Sequence, residues 1–255
     1  MTPDRLPSRC GTAGARGLRG SRAAALALAF ASAAAVLGGC ASSPPSHFYT
    51  LSPTGDAARA VASPSAANPA LLIELAPVDV PPQVAKPQFV VQDNATQVRV
   101  LEQQRWASLP GDEIRRALSG DLTQQLGTID VYGNPHPDGV PVYRVSVNVQ
   151  RFESWPGSHA LVDAVWSVRS LTSQAVMTCR SVLDEPVGDG YDALVAGHRR
   201  AVDALATAIA SGVRSLAAQP VRVGTKSSGS AAQALVACPA PVAAAPATTA
   251  APATQ

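Results

Sequence analysis

The sequence predicts an α/β fold: a single compact domain with a mixed β-sheet flanked by helices. Residues 142–152 alternate apolar and polar side chains with the period of a strand. Residues 191–217 repeat apolar side chains at helical spacing. Strand-like segments lie before, between and after helical ones, which indicates strands and helices packed around one core.

The first 39 residues have the composition of an export signal. Five arginines fall within residues 1–22, and an apolar run follows at residues 23–37. As a helix this run spans about 22 Å, less than the roughly 30 Å of a bilayer core. We therefore predict a cleaved signal peptide over residues 1–39. An uncleaved membrane anchor is the alternative.

Leu37-Gly38-Gly39-Cys40 follows the apolar run directly and resembles the bacterial lipobox. The resemblance implies that Cys40 becomes the first residue of the mature protein and carries the lipid, because its thiol accepts a diacylglycerol. Several acyl chains together anchor a protein stably. Ala41 in place of an aspartate implies sorting to the outer membrane, on its periplasmic face. We expect no cofactor other than this covalent lipid.

The charge of the chain changes sign when the export signal is removed. The full chain has 20 basic and 18 acidic side chains, and the predicted mature chain has 15 and 17. A nucleic-acid-binding protein normally carries a clustered basic excess. The mature charge of −2 therefore argues against a nucleic-acid partner.

The mature chain divides into three parts. Residues 40–70 are predicted to form a lipidated tether with a short strand at 48–51, and residues 71–218 the folded domain. If the tether is fully flexible, its root-mean-square reach is roughly 30 Å, and shorter if Phe48–Leu51 joins the sheet. Residues 219–255 are rich in alanine and proline and are predicted to be disordered.

Within the domain, residues 71–80 read as a buried strand that ends at Pro81-Pro82. Asp93-Asn94 predicts a hairpin between Pro87–Val91 and Thr96–Leu101. Asp112 and Glu113 favour the positive end of a helix over residues 111–126. The remaining segments follow in this order: Ile129–Tyr132 with a turn-rich connection, strands at 142–152, 160–170 and 174–183, and a closing helix at 191–217.

Two cysteines remain in the mature domain and tail. Cys179 and Cys238 lie in an oxidising compartment, where a structural disulfide between them can form. Cys179 also alternates with Met177 and Ala175 in a strand-like segment, so a buried, inert thiol is an equally good interpretation.

Side chains with catalytic potential form no convincing constellation. The four histidines, His47, His136, His159 and His198, are not at metal-ligand spacing. Ser158 and His159 are adjacent but lie outside a nucleophile-elbow motif, so a turn explains them as well. Arg105-Trp106 precedes the first helix and is a candidate partner contact. The alternative places Trp106 in the core and pairs Arg105 with Glu102.

The ordered motifs together resemble the PqiC-type auxiliary lipoproteins of ABC-type transport systems. The resemblance runs from about residue 40 to 217 and rests on the lipobox, Phe48-Tyr49-Thr50-Leu51, Pro87–Val91, Glu102 with Arg105-Trp106-Ala107, the strand with Phe152, and Tyr191–Ala196. It implies a domain of the TolB N-terminal type without catalytic residues. It also implies an MCE-domain protein and inner-membrane permease components as partners. The tail after Gln219 departs from the pattern.

Three functional hypotheses follow. The first is a non-enzymatic lipoprotein at the outer membrane that docks a lipid-transport assembly through its folded domain. The second is a carrier of lipid or another small ligand, which would need a sizeable apolar cavity. The third is a hydrolase that uses Ser158 and His159. The oligomeric state stays open, a homo-oligomer included.

Overall fold

The computed structural model describes residues 44–52, 69–219 and 237–239. Cys40 and most of the predicted tether and tail lie outside these residues. The elements, in chain order, are β1 (His47–Tyr49), β2 (Leu72–Leu75), β3 (Gln88–Asn94), β4 (Gln97–Trp106), α1 (Pro110–Leu126), β5 (Val142–Trp155), β6 (His159–Ser170), β7 (Val176–Pro186) and α2 (Tyr191–Ala217). The predicted α/β class is therefore confirmed, with two mixed sheets in place of one.

The larger sheet has four strands in the order β2-β5-β6-β7. β2 runs parallel to β5, and the other neighbours are antiparallel. The predicted alternation in β5 is confirmed: Tyr143, Val145, Val147 and Val149 are buried, and the residues between them are exposed. One face of this sheet therefore forms the core, and the other faces solvent.

The two helices cover the core face. α2 packs across β5, β6 and β7, and α1 packs beside α2 and against β2. The approach of α2 depends on glycine, because a Cβ on Gly197 would overlap Val187 and Ala160. A Cβ on Gly212 would lie 3.1 Å from the ring of Trp166. α1 begins with a proline and ends at Gly127, whose φ of 61° suits glycine.

The smaller sheet has three strands in the order β1-β4-β3. β3 and β4 form the predicted hairpin, and β1 adds in parallel to the end of β4. Gln88 pairs with Arg105 whereas Phe89 pairs with Leu101, so β4 carries extra residues there. An irregularity of this kind bends the strand that contains it.

The segment after α1 joins β2 to α1 through Asp130. Ile129–Tyr132 forms only an isolated bridge between Asp130 and Ile73. The Asp130 carboxylate accepts from the Leu75 N–H on β2 and from Ser119 and Arg115 on α1.

Candidate functional site: the clasp around the first strand

Residues 47–51, near the N-terminal end of the described chain, are built into the folded domain. β1 pairs His47, Phe48 and Tyr49 with residues 104–106 of β4. The Ala107 N–H donates to the Tyr49 carbonyl at 2.7 Å, and the Tyr49 hydroxyl donates to Gln104 Oε1 at 2.7 Å. The strand predicted at 48–51 is thus part of a sheet. We call residues 47–51, together with the β4 and α1 residues that hold them, the clasp.

Glu113 is the polar centre of the clasp. It lies in the first turn of α1, and its side chain is fully buried. Its Oε2 accepts from the Thr50 hydroxyl at 2.7 Å and the Leu51 N–H at 3.0 Å. Its Oε1 accepts from the Ser108 hydroxyl at 2.6 Å and Arg116 at 2.8 Å. Four donors from three segments thus converge on one carboxylate.

These donors also set the ionisation of Glu113. Burial alone would raise the pKa of the carboxyl, because a buried charge loses its hydration. The hydrogen bonds from Ser108, Thr50 and the Leu51 N–H, together with the Arg116 charge, outweigh burial and lower the pKa below its ordinary value. Glu113 is therefore charged at neutral pH and can hold all four donors.

Leu51 and an aromatic stack form the apolar half of the clasp. Leu51 is 2% exposed and belongs to the main core. Full burial of such a side chain stabilises the fold by about 1.5–3 kcal/mol. Phe89 stacks on Trp106 with ring centres 4.7 Å apart, and Tyr49 meets Phe89 edge-on at 5.9 Å. The clasp is therefore continuous with the core.

The burial of Trp106 corrects the predicted partner contact at this residue and agrees with the alternative, which places its ring in the core. Trp106 is 3% exposed and lies between Phe89 and Phe152, so its ring cannot reach a partner. Arg105 is half-buried beside Phe48 in the ladder, and its role as a partner contact stays a prediction.

The exposed aromatic residue of the clasp is Phe48. Its side chain is 66% exposed. It borders an open depression with His47, Tyr49, Gln104 and the first residues of α2. Sequence reasoning singled out Trp106, four residues before α1, whereas the exposed ring lies on the neighbouring strand.

The two serine–histidine pairs differ in accessibility. Ser158 Oγ lies 2.9 Å from Nδ1 of the adjacent His159, in the exposed β5–β6 turn. Ser154 Oγ lies 2.8 Å from Nε2 of His198, which is fully buried and stacks on Phe152. Burial lowers the pKa of His198 to about 3, so it is neutral at physiological pH. The second pair, which sequence reasoning missed, is a core contact out of reach of a substrate.

Cys179 and Cys238 form a disulfide, with their Cα atoms 5.7 Å apart. Cys179 is buried on β7, the edge strand of the four-stranded sheet, so the bond attaches residues 237–239 to that edge. The Cys238 sulfur also lies 3.4 Å from the Thr178 carbonyl oxygen. A cross-link that closes a loop of this length stabilises a fold by about 2–4 kcal/mol in the chain-entropy account.

The solvent face of the four-stranded sheet carries a charged network. Arg180 donates to both oxygens of Asp163 at 2.9 and 2.6 Å, and Asp163 is buried beneath it. The hydrogen bonds from Arg180 lower the pKa of Asp163 against the opposing effect of burial. Near the turn between β5 and β6, Trp155 stacks on His159 and donates to Glu153.

An open depression lies on the same face. Its lining includes Ser146, Asn148, Ser167 and Thr178. Like the depression beside Phe48, it opens to solvent and is lined in part by polar side chains. Neither has the form of the enclosed apolar cavity that the carrier hypothesis calls for.

Two further features of the described residues concern membrane-spanning helices and metal ligands. None of the described helices is long and apolar enough to cross a membrane. Within the described ranges, histidine, cysteine and carboxylate side chains form no group of three or more that could hold a metal ion.

Residues 49–210 match the sequence model of a protein family described as "ABC-type transport auxiliary lipoprotein component". This range begins inside β1 and extends into α2, so it includes most of the clasp. No curated protein matches the chain in sequence.

Two solved structures are similar to this fold. A protein described as uncharacterized superposes with a TM-score of 0.53 at 19% identity, over 66% of this chain and 99% of that one. A protein from Xanthomonas campestris superposes with a TM-score of 0.48 at 16% identity, over 59% of this chain and 89% of that one. At this identity the first likeness concerns the fold alone.

Proposed function

The chain belongs to the family of ABC-type transport auxiliary lipoprotein components, and on that premise we propose that it is a non-enzymatic accessory of an MCE-type lipid-transport system. An acyl group on Cys40 anchors it at the periplasmic face of the outer membrane. Its partners are the MCE-domain protein and, through it, the inner-membrane permease components.

The clasp is the observation that carries this proposal. His47 is seven positions after Cys40 in the sequence, and a fully extended chain of seven such steps spans at most about 25 Å. Because β1 is hydrogen-bonded within a sheet, the residues after His47 cannot add to the length of the tether. The distance between Cys40 and the domain is therefore limited to that span. A domain held this closely is suited to receive a partner at the membrane surface.

The anchor is tested by metabolic labelling with an alkyne analogue of palmitate. Cys40→Ala should abolish the label and release the protein from the membrane fraction. Cys10→Ala is the matched control, because Cys10 belongs to the predicted signal peptide, and it should retain both. Label retained in Cys40→Ala would contradict the assignment.

The partner is tested by photo-crosslinking in intact cells. A photoreactive phenylalanine analogue is placed at Phe48, which is exposed, and in a control at Phe89, which is buried. Crosslinking from a surface site followed by affinity purification should recover an MCE-domain protein. Repeated recovery of an unrelated secretion complex instead would overturn the proposal.

A further inference from the structure

The outer edge of β7 is a long strand edge that the described residues leave mostly open. β7 pairs with β6 without a register shift from Val176 to Pro186. The opposite edge of the same sheet is short and covered, because β2 has four residues and Ile73 exchanges hydrogen bonds with Ile129 and Val131. A regular, uncovered edge strand is ready to pair with another strand. The outer edge of β7 is therefore a candidate interface.

Alternate residues of β7 present their backbone groups to this edge. The Val187 N–H donates to the Ser158 carbonyl, and the Ser170 N–H donates to the Ala175 carbonyl, both at 2.9 Å. These bonds place the odd-numbered residues of β7 in the pairs that are hydrogen-bonded to β6. The N–H and C=O groups of the even-numbered residues therefore point to the free edge.

Both ends of this edge are closed. Pro186 has no N–H, and its carbonyl accepts from Arg200 Nη2 at 2.7 Å. The Thr178 carbonyl oxygen lies 3.4 Å from the sulfur of Cys238, which the disulfide holds in place. Between these ends, over residues 180–184, the free edge has no backbone partner in the described part of the chain. The open stretch is thus short and defined on both sides.

The side chains of the open stretch are arranged symmetrically about Val182, which is 56% exposed. Arg180 and Asp184 are exposed two residues before and after it, on the same face of the sheet. Arg180 binds Asp163 through Nε and Nη2, which leaves its Nη1 available. Asp184 forms no ion pair with another described residue. The edge therefore carries a positive, an apolar and a negative side chain in that order.

This order is complementary to itself. When two copies of β7 lie antiparallel about a two-fold axis at Val182, Val182 faces its copy, and Arg180 faces Asp184 of the second copy. The two backbones exchange hydrogen bonds at each of these pairs. A register centred on Arg180 or on Asp184 would place like charges directly opposite each other, which is destabilising. The charges therefore select the register centred on Val182.

We propose that this protein associates with a second copy of itself through the edge of β7, so that two four-stranded sheets join. A strand pair of this length buries less than the roughly 1,200–2,000 Å² of a stable interface, so the association is reversible and depends on concentration. It goes beyond the proposed function and does not depend on the acyl anchor or on the transport partner.

The test places a single cysteine at the two-fold axis. Val182→Cys in the full-length chain is treated in intact cells with a short bismaleimide, which leaves the Cys179–Cys238 disulfide intact. Facing residues of such a pair have Cα atoms about 5.5 Å apart, so the reagent should link two chains into a dimer, measured by denaturing electrophoresis. Val98→Cys is the matched control, because Val98 is exposed on a different hairpin, and it should give only the background of random collisions.

Charge reversal tests the register. Asp184→Arg, combined with Val182→Cys, should lower the crosslinked fraction several-fold, because two attractive cross-strand pairs become repulsive. Asp138→Arg makes the same change of charge in an exposed turn and should leave crosslinking unchanged. Both aspartates are exposed, so neither change should disturb the fold.

Four outcomes would overturn the proposal. The first is crosslinking of Val182→Cys no greater than that of Val98→Cys, and the second is crosslinking that Asp184→Arg leaves unchanged. The third is an adduct of Val182→Cys with a different envelope protein in place of the dimer, which would identify another occupant. The fourth is poor labelling of Val182→Cys by a monofunctional maleimide at high dilution, which would show that the same chain covers the edge.

Discussion

The two ends of β4 meet opposite environments. At its C-terminal end Trp106 is buried in an aromatic stack, and β1 and β3 flank the strand on both sides. At its N-terminal end every residue from Gln97 to Val100 is exposed. One strand therefore connects the part of the domain that holds the tether to the part that projects beyond the core.

This difference separates two parts of the domain. The C-terminal end of β4 belongs to the clasp, whose buried Glu113 accepts four hydrogen bonds. The N-terminal end is exposed and contributes little to the core. Substitutions at the two ends should accordingly change the stability to different degrees.

The largest effect is expected for Trp106→Ala. Truncation of a buried tryptophan typically lowers the free energy of unfolding by about 3–5 kcal/mol. Urea unfolding measures this loss. Phe48→Ala is the matched control, since that ring is mostly exposed, and it should change the free energy by no more than about 0.5 kcal/mol. Similar losses for both variants would contradict the burial of Trp106.

Glu113→Ala should be the next largest. It leaves the Leu51 N–H and the Thr50 and Ser108 hydroxyls without their acceptor, at a cost of roughly 1–3 kcal/mol. Asp112→Ala is the control, because Asp112 is exposed in the same helical turn. Limited proteolysis should cut Glu113→Ala near residues 50–52 much faster than the control. Equal cleavage rates would show that Glu113 does not hold the tether.

The pH dependence of stability should also report on Glu113. Its pKa is lower in the folded protein than in the unfolded chain. Its contribution is therefore fully present above the unfolded pKa and lost as the pH falls through the folded value. Glu113→Gln should flatten the acid limb of the stability curve, measured by urea unfolding between pH 7 and pH 3. An unchanged acid limb would contradict this assignment.

Asp121, on the same helix, should show the opposite sign. Burial, together with the nearby Asp203 charge, raises its pKa to about 6 against the pull of Arg199. Its carboxylate therefore destabilises the fold as the pH rises through that value. Asp121→Asn should stabilise the protein at pH 7.5 by about 1 kcal/mol after allowance for solvent screening. The gain should vanish below pH 4, and a gain that persists there would contradict the charge explanation.

The smallest effect on stability is expected at the exposed end of the β3–β4 hairpin. Val98→Ser should change the free energy of unfolding by no more than about 0.5 kcal/mol, because the residue is exposed in a peripheral hairpin. Val182→Ser, at an exposed position on β7, is the control and should have an equally small effect in urea unfolding. A large loss of stability at Val98 alone would place the end of the hairpin within the core instead.

The elements of the domain were largely predictable, because their signals are local. The alternation of β5 and the apolar spacing of α2 follow directly from which side chains meet the core. The hairpin around Asp93-Asn94 was predicted for the same reason. Its exposure was not, since Val98-Arg99-Val100 has the alternation of an ordinary half-buried strand. No local pattern indicates that the buried part of the hairpin ends at Gln92.

The clasp could be predicted only in part. Asp112 and Glu113 both suit the start of α1, and their sequence context does not say which of them is buried. The choice depends on Thr50 and Leu51, more than sixty residues earlier. The burial of Trp106 likewise depends on its ring contacts with Phe89 and Phe152, which come from other strands. Contacts between distant parts of the chain decide both features.

Residues 47–51 are an integral part of the domain, and hydrogen exchange at the Leu51 amide tests this most directly. That N–H donates to buried Glu113, so its exchange should be slowed to the range of the core amides of β5. Glu113→Ala should accelerate exchange at Leu51 far more than at Val147. Exchange of the Leu51 amide at the rate of an unstructured chain would contradict the account.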